Sequence, residues 1–392
     1  MQKKEKVCIV TGTRAEYGLF YPLLEKIKAD GYFDLQLCAT GMHLSPEFGL
    51  TYKEIEKDGF VIREKIEMLL SSDTETGVTK SVGLGIIGFA DAFRRLKPDL
   101  VILLGDRFET LAAAAAAFMA RLPIVHLYGG ELTEGAMDDA VRHAVTKMSM
   151  LHLVSTEAYR RRVVQLGEEP GRVFNVGALG IDNIKNMRLL EKGKLEKELD
   201  FKFGKRNVLV TFHPVTLENN TARGQFMKLL GALNHYEDLR IIFTKPNADP
   251  NDRGVSRLID EYVKKRPGRA AAFVSLGRLK YLSAMRYVDA VVGNSSSGVI
   301  ETPSFGKPTV NVGDRQKGRI RASSVIDCSP DKESIIKALD TAFTPEFGQF
   351  CRTVKNPYGN GDAAEKILSV LRQKSKEIKN LKKSFYDLEV KI

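Results

Sequence analysis

The chain lacks the marks of several large protein classes. It has 4 cysteines in 392 residues, and Cys8, Cys38, Cys328 and Cys351 are scattered, with no C-x-x-C pair and no histidine at metal-ligand spacing. That pattern excludes a disulfide framework and a zinc ribbon. Cys8 and Cys38 fall inside apolar runs of strand length and read as small buried hydrophobes. No apolar run approaches the roughly 20 residues that a membrane span requires. The opening MQKKEKVCIVTG has no small-residue cleavage site after its apolar stretch, so a cytoplasmic protein without a signal peptide is expected. The turn after KVCIVTG is neither a G-x-G-x-x-G nor a P-loop, so it gives no fingerprint for NAD or ATP. No repeat recurs at a solenoid period.

A net charge of +11 raises the question of nucleic acid. Much of the excess lies at the ends, in Lys3 and Lys4 and in RQKSKEIKNLKK near the C-terminus, which reads as a solvated helix face. No aromatic-interleaved basic repeat accompanies it, so neither nucleic acid nor membrane is an expected partner. A mildly positive field instead suits an anionic small substrate, whose approach it steers.

What the chain does have is a repeated alternation of short apolar runs and amphipathic stretches. KVCIVTG, DLQLCATG, DLVILLGD, PIVHLYGG, LHLVST and VFNVGALG read as strands of a parallel sheet covered on both faces. Helices are expected near 82–96, 109–120, 138–149 and 156–166, after a polar stretch near 71–81. The charged segment LLEKGKLEKELDFKFGKR reads as a linker. The alternation then restarts with NVLVTFHP, RIIFTKPNAD, AAFVSLG, DAVVGNSSSG, PTVNVG and SVIDC, with helices near 252–265 and 278–286. Two α/β domains follow, at 1–185 and 186–355, expected to face each other across a cleft. A last helix at 362–382 is expected to pack back on the first.

Ligands bind beyond the carboxyl ends of parallel strands, and polar residues gather there. Asp106, Arg107 and Glu109 follow VILLG; His126, Tyr128 and Glu131 follow PIV; Asp138, Asp139, Arg142 and His143 open the next helix. One of these acids, partly desolvated, would suit proton transfer; the alternative is helix caps and surface ion pairs. Arg14 and Glu16 stand at the first strand-to-helix junction, where an arginine and helix N–H groups hold phosphate well. In GNSSSGVIE, Ser295, Ser296 and Ser297 open a helix, and Glu301 is placed to accept from a ribose diol; the alternative is an ordinary serine cap. GDRQKGRIR adds guanidinium groups, among them Arg315. His213 ends a strand before Pro214. His43 lies just beyond its strand, and His152 reads as a packed core histidine.

In this order, GTRAEYG, TGMHL, GDRFE, GGE, DDAVRHAVTKMS, FHP, GNSSSGVIE and GDRQKGR resemble the UDP-N-acetylglucosamine 2-epimerases, specifically their hydrolysing, sialic-acid-pathway branch. Non-hydrolysing relatives typically read GTRPE, HVEAGLR and GHRRE where this chain has GTRAE, HLYGGEL and FHPVT. The resemblance implies two Rossmann-like, doubly wound α/β domains in a glycosyltransferase-B-like fold. It implies anti elimination of UDP from UDP-N-acetylglucosamine to 2-acetamidoglucal, then syn hydration to free N-acetylmannosamine, with no cofactor and no metal. It makes Asp106, Glu131, Asp138 and His213 the catalytic set, with Asp106 or Glu131 as the C2 base. Arg14, Arg107, Ser295, Ser296, Glu301 and Arg315 become contacts of the UDP portion. Tyr128 departs from the ionisable residue that relatives often carry.

Three alternatives accompany this expectation. The same chemistry could act on UDP-2,4-diacetamido-2,4,6-trideoxyglucose, of the legionaminic acid pathway. A glycosyltransferase of similar fold would need fewer acids than the first domain holds. A nucleotide-sugar sensor would lack some of them. A homo-oligomer, dimer or tetramer, is the expected assembly.

Overall fold

The computed structural model describes residues 4–70, 74–133, 137–213, 221–245, 253–274 and 276–389. Lys3, residues 71–73 of the expected polar stretch, Pro214 and residues 246–249 of RIIFTKPNAD lie outside them. The chain divides into two compact units. The first holds residues up to 132, 137–183 and 358 onward; the second holds 184–357.

In the first unit the strands are β1 (Glu5–Thr11), β2 (Phe33–Thr40), β3 (Ile62–Ile66), β4 (Leu100–Leu104), β5 (Ile124–Leu127), β6 (Leu151–Val154) and β7 (Val173–Asn175). They form one seven-stranded sheet in the order β3-β2-β1-β4-β5-β6-β7, with every pairing parallel. Successive residues point to opposite faces, so each strand feeds two cores. Val7 and Ile9 join the helices Arg14–Ala29 and Ala363–Lys374 on one side. Cys8 and Val10 join Glu75–Leu96, Phe108–Met119 and Met137–Met148 on the other. The alanine run of Phe108–Met119 is strongly helix-forming and buries five of its alanines against its own unit.

The second unit repeats the plan with β8 (Arg206–Thr211), β9 (Leu239–Thr244), β10 (Ala270–Phe273), β11 (Ala290–Gly293), β12 (Thr309–Val312) and β13 (Val325–Cys328). Their order is β10-β9-β8-β11-β12-β13, again all parallel. In both sheets the order reverses beside the first strand, between β1 and β4 and between β8 and β11. Crevices for ligands open at such switch points.

Three expectations are corrected. The stretch taken for a linker contains the helix Lys192–Leu199, which buries Leu195 and Leu199 in a core with Leu209, Ile242 and Met285. Its two leucines, one turn apart, are an apolar stripe hidden among charges. The helix expected at 82–96 starts at Glu75, where the Thr74 hydroxyl accepts from the Gly77 amide. The last helix ends at Lys374 rather than 382, and in the tail beyond it Lys376 and Lys382 are exposed as expected while Ile378, Lys379 and Lys383 engage the first unit.

That tail is a strap across the N-terminal edge of the first sheet. Ile378 is buried in the core, and Lys379 pairs with Glu5 at 2.7 Å and Asp99 at 3.0 Å. Lys383 reaches Glu168 at 2.6 Å and donates to the carbonyls of Lys147 and Ser149. Glu168 is buried and also pairs with His152 and Lys147. Burial alone would lift its pKa, but hydrogen bonds from these partners pull it down to about 2. Removing one partner of a buried pair leaves a charge uncompensated. Lys383→Met is therefore expected to cost about 2–4 kcal/mol, measured as a lower denaturant midpoint; an unchanged midpoint would show that the strap carries no stability.

Candidate active site

In the first unit the site is built on a buried cation. Arg142, on the helix Met137–Met148, is 2% exposed. It pairs with Asp106 from the turn after β4 and with Asp139 at 3.2 Å, and it donates to the Glu131 carbonyl at 2.7 Å. A buried guanidinium is tolerated only when charges and acceptors surround it. Meeting that demand draws the loops after β4 and β5 together. Asp139 also faces His143 at 3.4 Å. Glu131 is itself buried, with Oε1 accepting from the Ser155 hydroxyl at 2.9 Å. Asp138 is half-buried and adds to the field that favours the charge on Arg107.

A second cluster lies at the β1/β4 switch point. Arg107 binds both oxygens of Glu109 at 3.1 Å. Burial works against the guanidinium charge there, but Glu109 and Glu16 outweigh it and hold the Arg107 pKa above its ordinary value. Glu16 accepts from the Gly12 amide at 2.7 Å, and burial pushes its pKa up to about 7. Arg14 stands exposed at the first position of the helix Arg14–Ala29.

Three histidines in this unit are structural. His43 bridges the hydroxyls of Thr11 and Thr51. His152 is the buried partner of Glu168. His126 contacts Thr146 Oγ1 at 3.1 Å through Nδ1 and the Gly105 carbonyl at 2.8 Å through Nε2. Nε2–H therefore donates to Gly105, the residue that sets up the turn into Asp106. Tyr128 ends β5 at a φ of 65°, a strained conformation for an aromatic residue that costs about 1–3 kcal/mol and clusters at functional sites.

In the second unit Asn294 is the hub. It is 1% exposed, and its side chain accepts from the His213 amide and donates to the His213 carbonyl, both at 2.7 Å. Arg315 and Gln316 each donate to its backbone carbonyl at 2.9 Å. Gly293 precedes it at a φ of 130°, and a Cβ there would stand 1.9 Å from the Thr211 carbonyl oxygen, so only glycine lets β8 and β11 approach this closely. His213 is half-buried, and burial with the nearby Arg315 charge lowers its pKa to about 3. Ser295 caps the short helix Ser296–Ile300 by accepting from the Ser297 amide. Tyr281 donates to the Ser297 hydroxyl, which donates to Glu301. Burial raises Glu301 to about 7.

The structure thus brings Asp106 and Glu131 together through Arg142, and His213 and Arg315 together through Asn294. In sequence Asn294 reads, with Ser295, Ser296 and Ser297, only as a residue opening a helix; its clamp on His213 has no signal there beyond an asparagine directly after a strand-ending glycine. Sequence leaves Arg142 between a surface ion pair and a part in the site, because its link to Asp106 spans 36 residues.

Fold and site together define a two-domain, glycosyltransferase-B-like α/β protein with acid and arginine clusters at its strand ends. Residues 25–372 match the family described as UDP-N-acetylglucosamine 2-epimerase, and the chain belongs to that family. A Campylobacter jejuni protein named GDP/UDP-N,N'-diacetylbacillosamine 2-epimerase (hydrolyzing) is 48% identical over 340 residues, 87% of each chain. Polysialic acid biosynthesis protein P7 of Escherichia coli is 36% identical over 388 residues, 98% of each. The crystal structure of UDP-GlcNAc 2-epimerase from Neisseria meningitidis bound to UDP-GlcNAc has the same fold, with a TM-score of 0.81 at 19% identity over 94% of this chain and all of that one. Among the described residues no helix is long and apolar enough to cross a membrane.

The buried imidazoles make the first unit acid-sensitive. Burial holds His43 and His126 each at about 4, below the ordinary 6.5. Their neutral forms stabilise the fold fully above pH 6.5, and this contribution is lost as pH falls toward 4, by about 1–3 kcal/mol each. His126→Gln should flatten the stability profile between pH 6.5 and 4 in denaturant titrations. An unchanged slope would show that His126 is accessible to protons in the folded chain.

Proposed function

We propose that this protein is a hydrolysing 2-epimerase of UDP-linked 2-acetamido sugars, with the acid–base groups in its first unit and nucleotide-binding groups in its second. The observation that carries this reading is the Arg142-centred set, which holds Asp106 against a fully compensated cation at a strand end. In the first step a carboxylate, Asp106 or Glu131, takes the C2 proton as the C1–O bond to UDP breaks, leaving a 2-acetamidoglucal. In the second, water adds its hydroxyl to C1 while a carboxylic acid returns a proton to C2 from the same face. Asp138 is the third proton-transfer group. Arg14 and Arg107 stabilise the departing diphosphate electrostatically. Ser295, Ser296 and Arg315 hold the nucleotide, and Glu301 receives the ribose hydroxyls. His213, kept neutral by burial, offers a hydrogen bond to the diphosphate rather than a charge.

Between the two sugars, the 48% identity to a hydrolysing diacetylbacillosamine epimerase supports the 2,4-diacetamido-trideoxy substrate. UDP-N-acetylglucosamine, the first expectation from sequence, is the second reading and has the 36% relative in polysialic acid synthesis on its side. A homo-oligomer belongs to the same reading, and Leu84 and Ile87 on the helix Glu75–Leu96 and Phe118 and Met119 at the end of Phe108–Met119 are exposed apolar side chains available to it. Apolar residues this exposed mark interaction surfaces when they lie together.

Incubation with each UDP-sugar separately, and with a GDP-linked diacetamido sugar, should release the nucleoside diphosphate and a free 2-epimerised sugar from one of them. In D2O the product should carry deuterium at C2; diphosphate release without that label contradicts the glycal route. Asp106→Asn, Glu131→Gln and Asp138→Asn should each lower kcat by about 10²–10⁴-fold. Near-normal rates in all three would return these residues to capping and ion-pair roles.

A further inference from the structure

Beneath Arg107 lies a buried carboxyl that the proposed reaction does not use. Glu16 is 8% exposed and Glu109 1%, and Gly12 separates them. A Cβ on Gly12 would stand 3.3 Å from Glu109 Cβ and 3.4 Å from Glu16 Oε2. Gly41 closes the other side at a φ of +57°, where a Cβ would approach Glu109 Oε1 to 2.8 Å. These glycines let two acids press against backbone with little room for water. Glu109 occupies one edge of Arg107 with both oxygens, while the arginine side chain remains 32% exposed.

Burial is the largest influence on Glu16, and charges and amides around it act beside that. Arg107 favours its ionised form and Glu109 opposes it, and on its own turn it meets the amides of Gly12 and Thr13. His43, packed alongside after β2, hydrogen-bonds Thr11 and is neutral at pH 7. Asp138 acts on Arg107 from the helix Met137–Met148. With both acids ionised this group of three carries one excess negative charge. A diphosphate at the exposed edge of Arg107 adds more negative charge and competes for the cation that favours ionised Glu16.

We propose that Glu16 is a positioning residue that takes up a solvent proton when a diphosphate docks on Arg107, so that the guanidinium is released from one buried acid to serve the ligand. The inference rests on the reading of Arg107 as a diphosphate contact. One O–H bond forms on the Glu16 carboxylate as the hydronium or buffer acid that supplies the proton loses its own bond to it, and no covalent bond of the ligand changes. Burial has already brought Glu16 to about 7, so a modest added field protonates it near neutral pH.

Calorimetry of the full chain with UDP at pH 7, in two buffers of different ionisation heat, counts the protons taken up. The ionisation of UDP itself contributes equally to every variant compared. Wild type should take up about 0.3–0.5 proton more than Glu16→Gln, and its UDP affinity should fall about fivefold more between pH 6 and pH 8. Should Glu16→Gln fail to fold, Glu109→Gln lowers the Glu16 pKa by removing a like charge and should also shrink the proton uptake. Equal proton counts and equal pH profiles in wild type and a folded variant would overturn the proposal while leaving nucleotide binding intact. Failure of folded wild type to bind UDP would overturn the nucleotide reading and this inference with it.

Discussion

The guanidinium of Arg142 is the constraint on which the first unit's site depends. Burying a cation without compensation is prohibitively costly, so the fold supplies acceptors from three stretches of chain. Asp106 comes from the turn after β4, the Glu131 carbonyl from the loop after β5, and Asp139 from the same helix. None of these loops has regular structure to hold it. The arginine therefore converts an electrostatic requirement into position: Asp106 stays where it is because leaving would strand a buried charge. A lysine has the charge but not the fork that satisfies several acceptors at once.

The second unit solves the same problem with neutral groups. Asn294 clamps both backbone atoms of His213, and its own carbonyl takes up Arg315 and Gln316. Both hubs stand at the carboxyl ends of parallel strands, and the strand orders of the two sheets match. In the first unit the polarity is ionic and suits proton transfer. In the second it is a hydrogen-bonded frame with hydroxyls and one lifted carboxyl, Glu301, which suits recognition of a nucleotide.

Much of this was legible in the sequence, because apolar runs that end in glycine mark strand ends and polar residues after them mark the site. Asp106, Glu131, Asp138 and His213 read in sequence as residues beyond strand ends, and the structure places them there; both sheets were legible the same way. What sequence hid were interactions without a local period. Arg142 pairs with Asp139 on its own helix, but nothing local shows that it also reaches Asp106 in another loop. The helix Lys192–Leu199 was masked by its charges, since its two buried leucines are too few to show an amphipathic pattern. The pairings of Lys379 and Lys383 were hidden because nothing near them in sequence tells of Glu5, Asp99 or Glu168.

Glycine at the strand ends and arginine among acids are two halves of one design. Gly41 and Gly293 admit polar groups to the backbone at distances that a side chain would block, and in the first unit Arg107 then holds Glu109 in place. The most direct test of this account is the turnover of Arg142→Lys alongside its affinity for UDP. If the fork of Arg142 positions the proton-transfer groups, kcat should fall by about 100-fold or more in a folded chain whose UDP affinity stays within about threefold. A folded Arg142→Lys chain that turns over at the wild-type rate would contradict it.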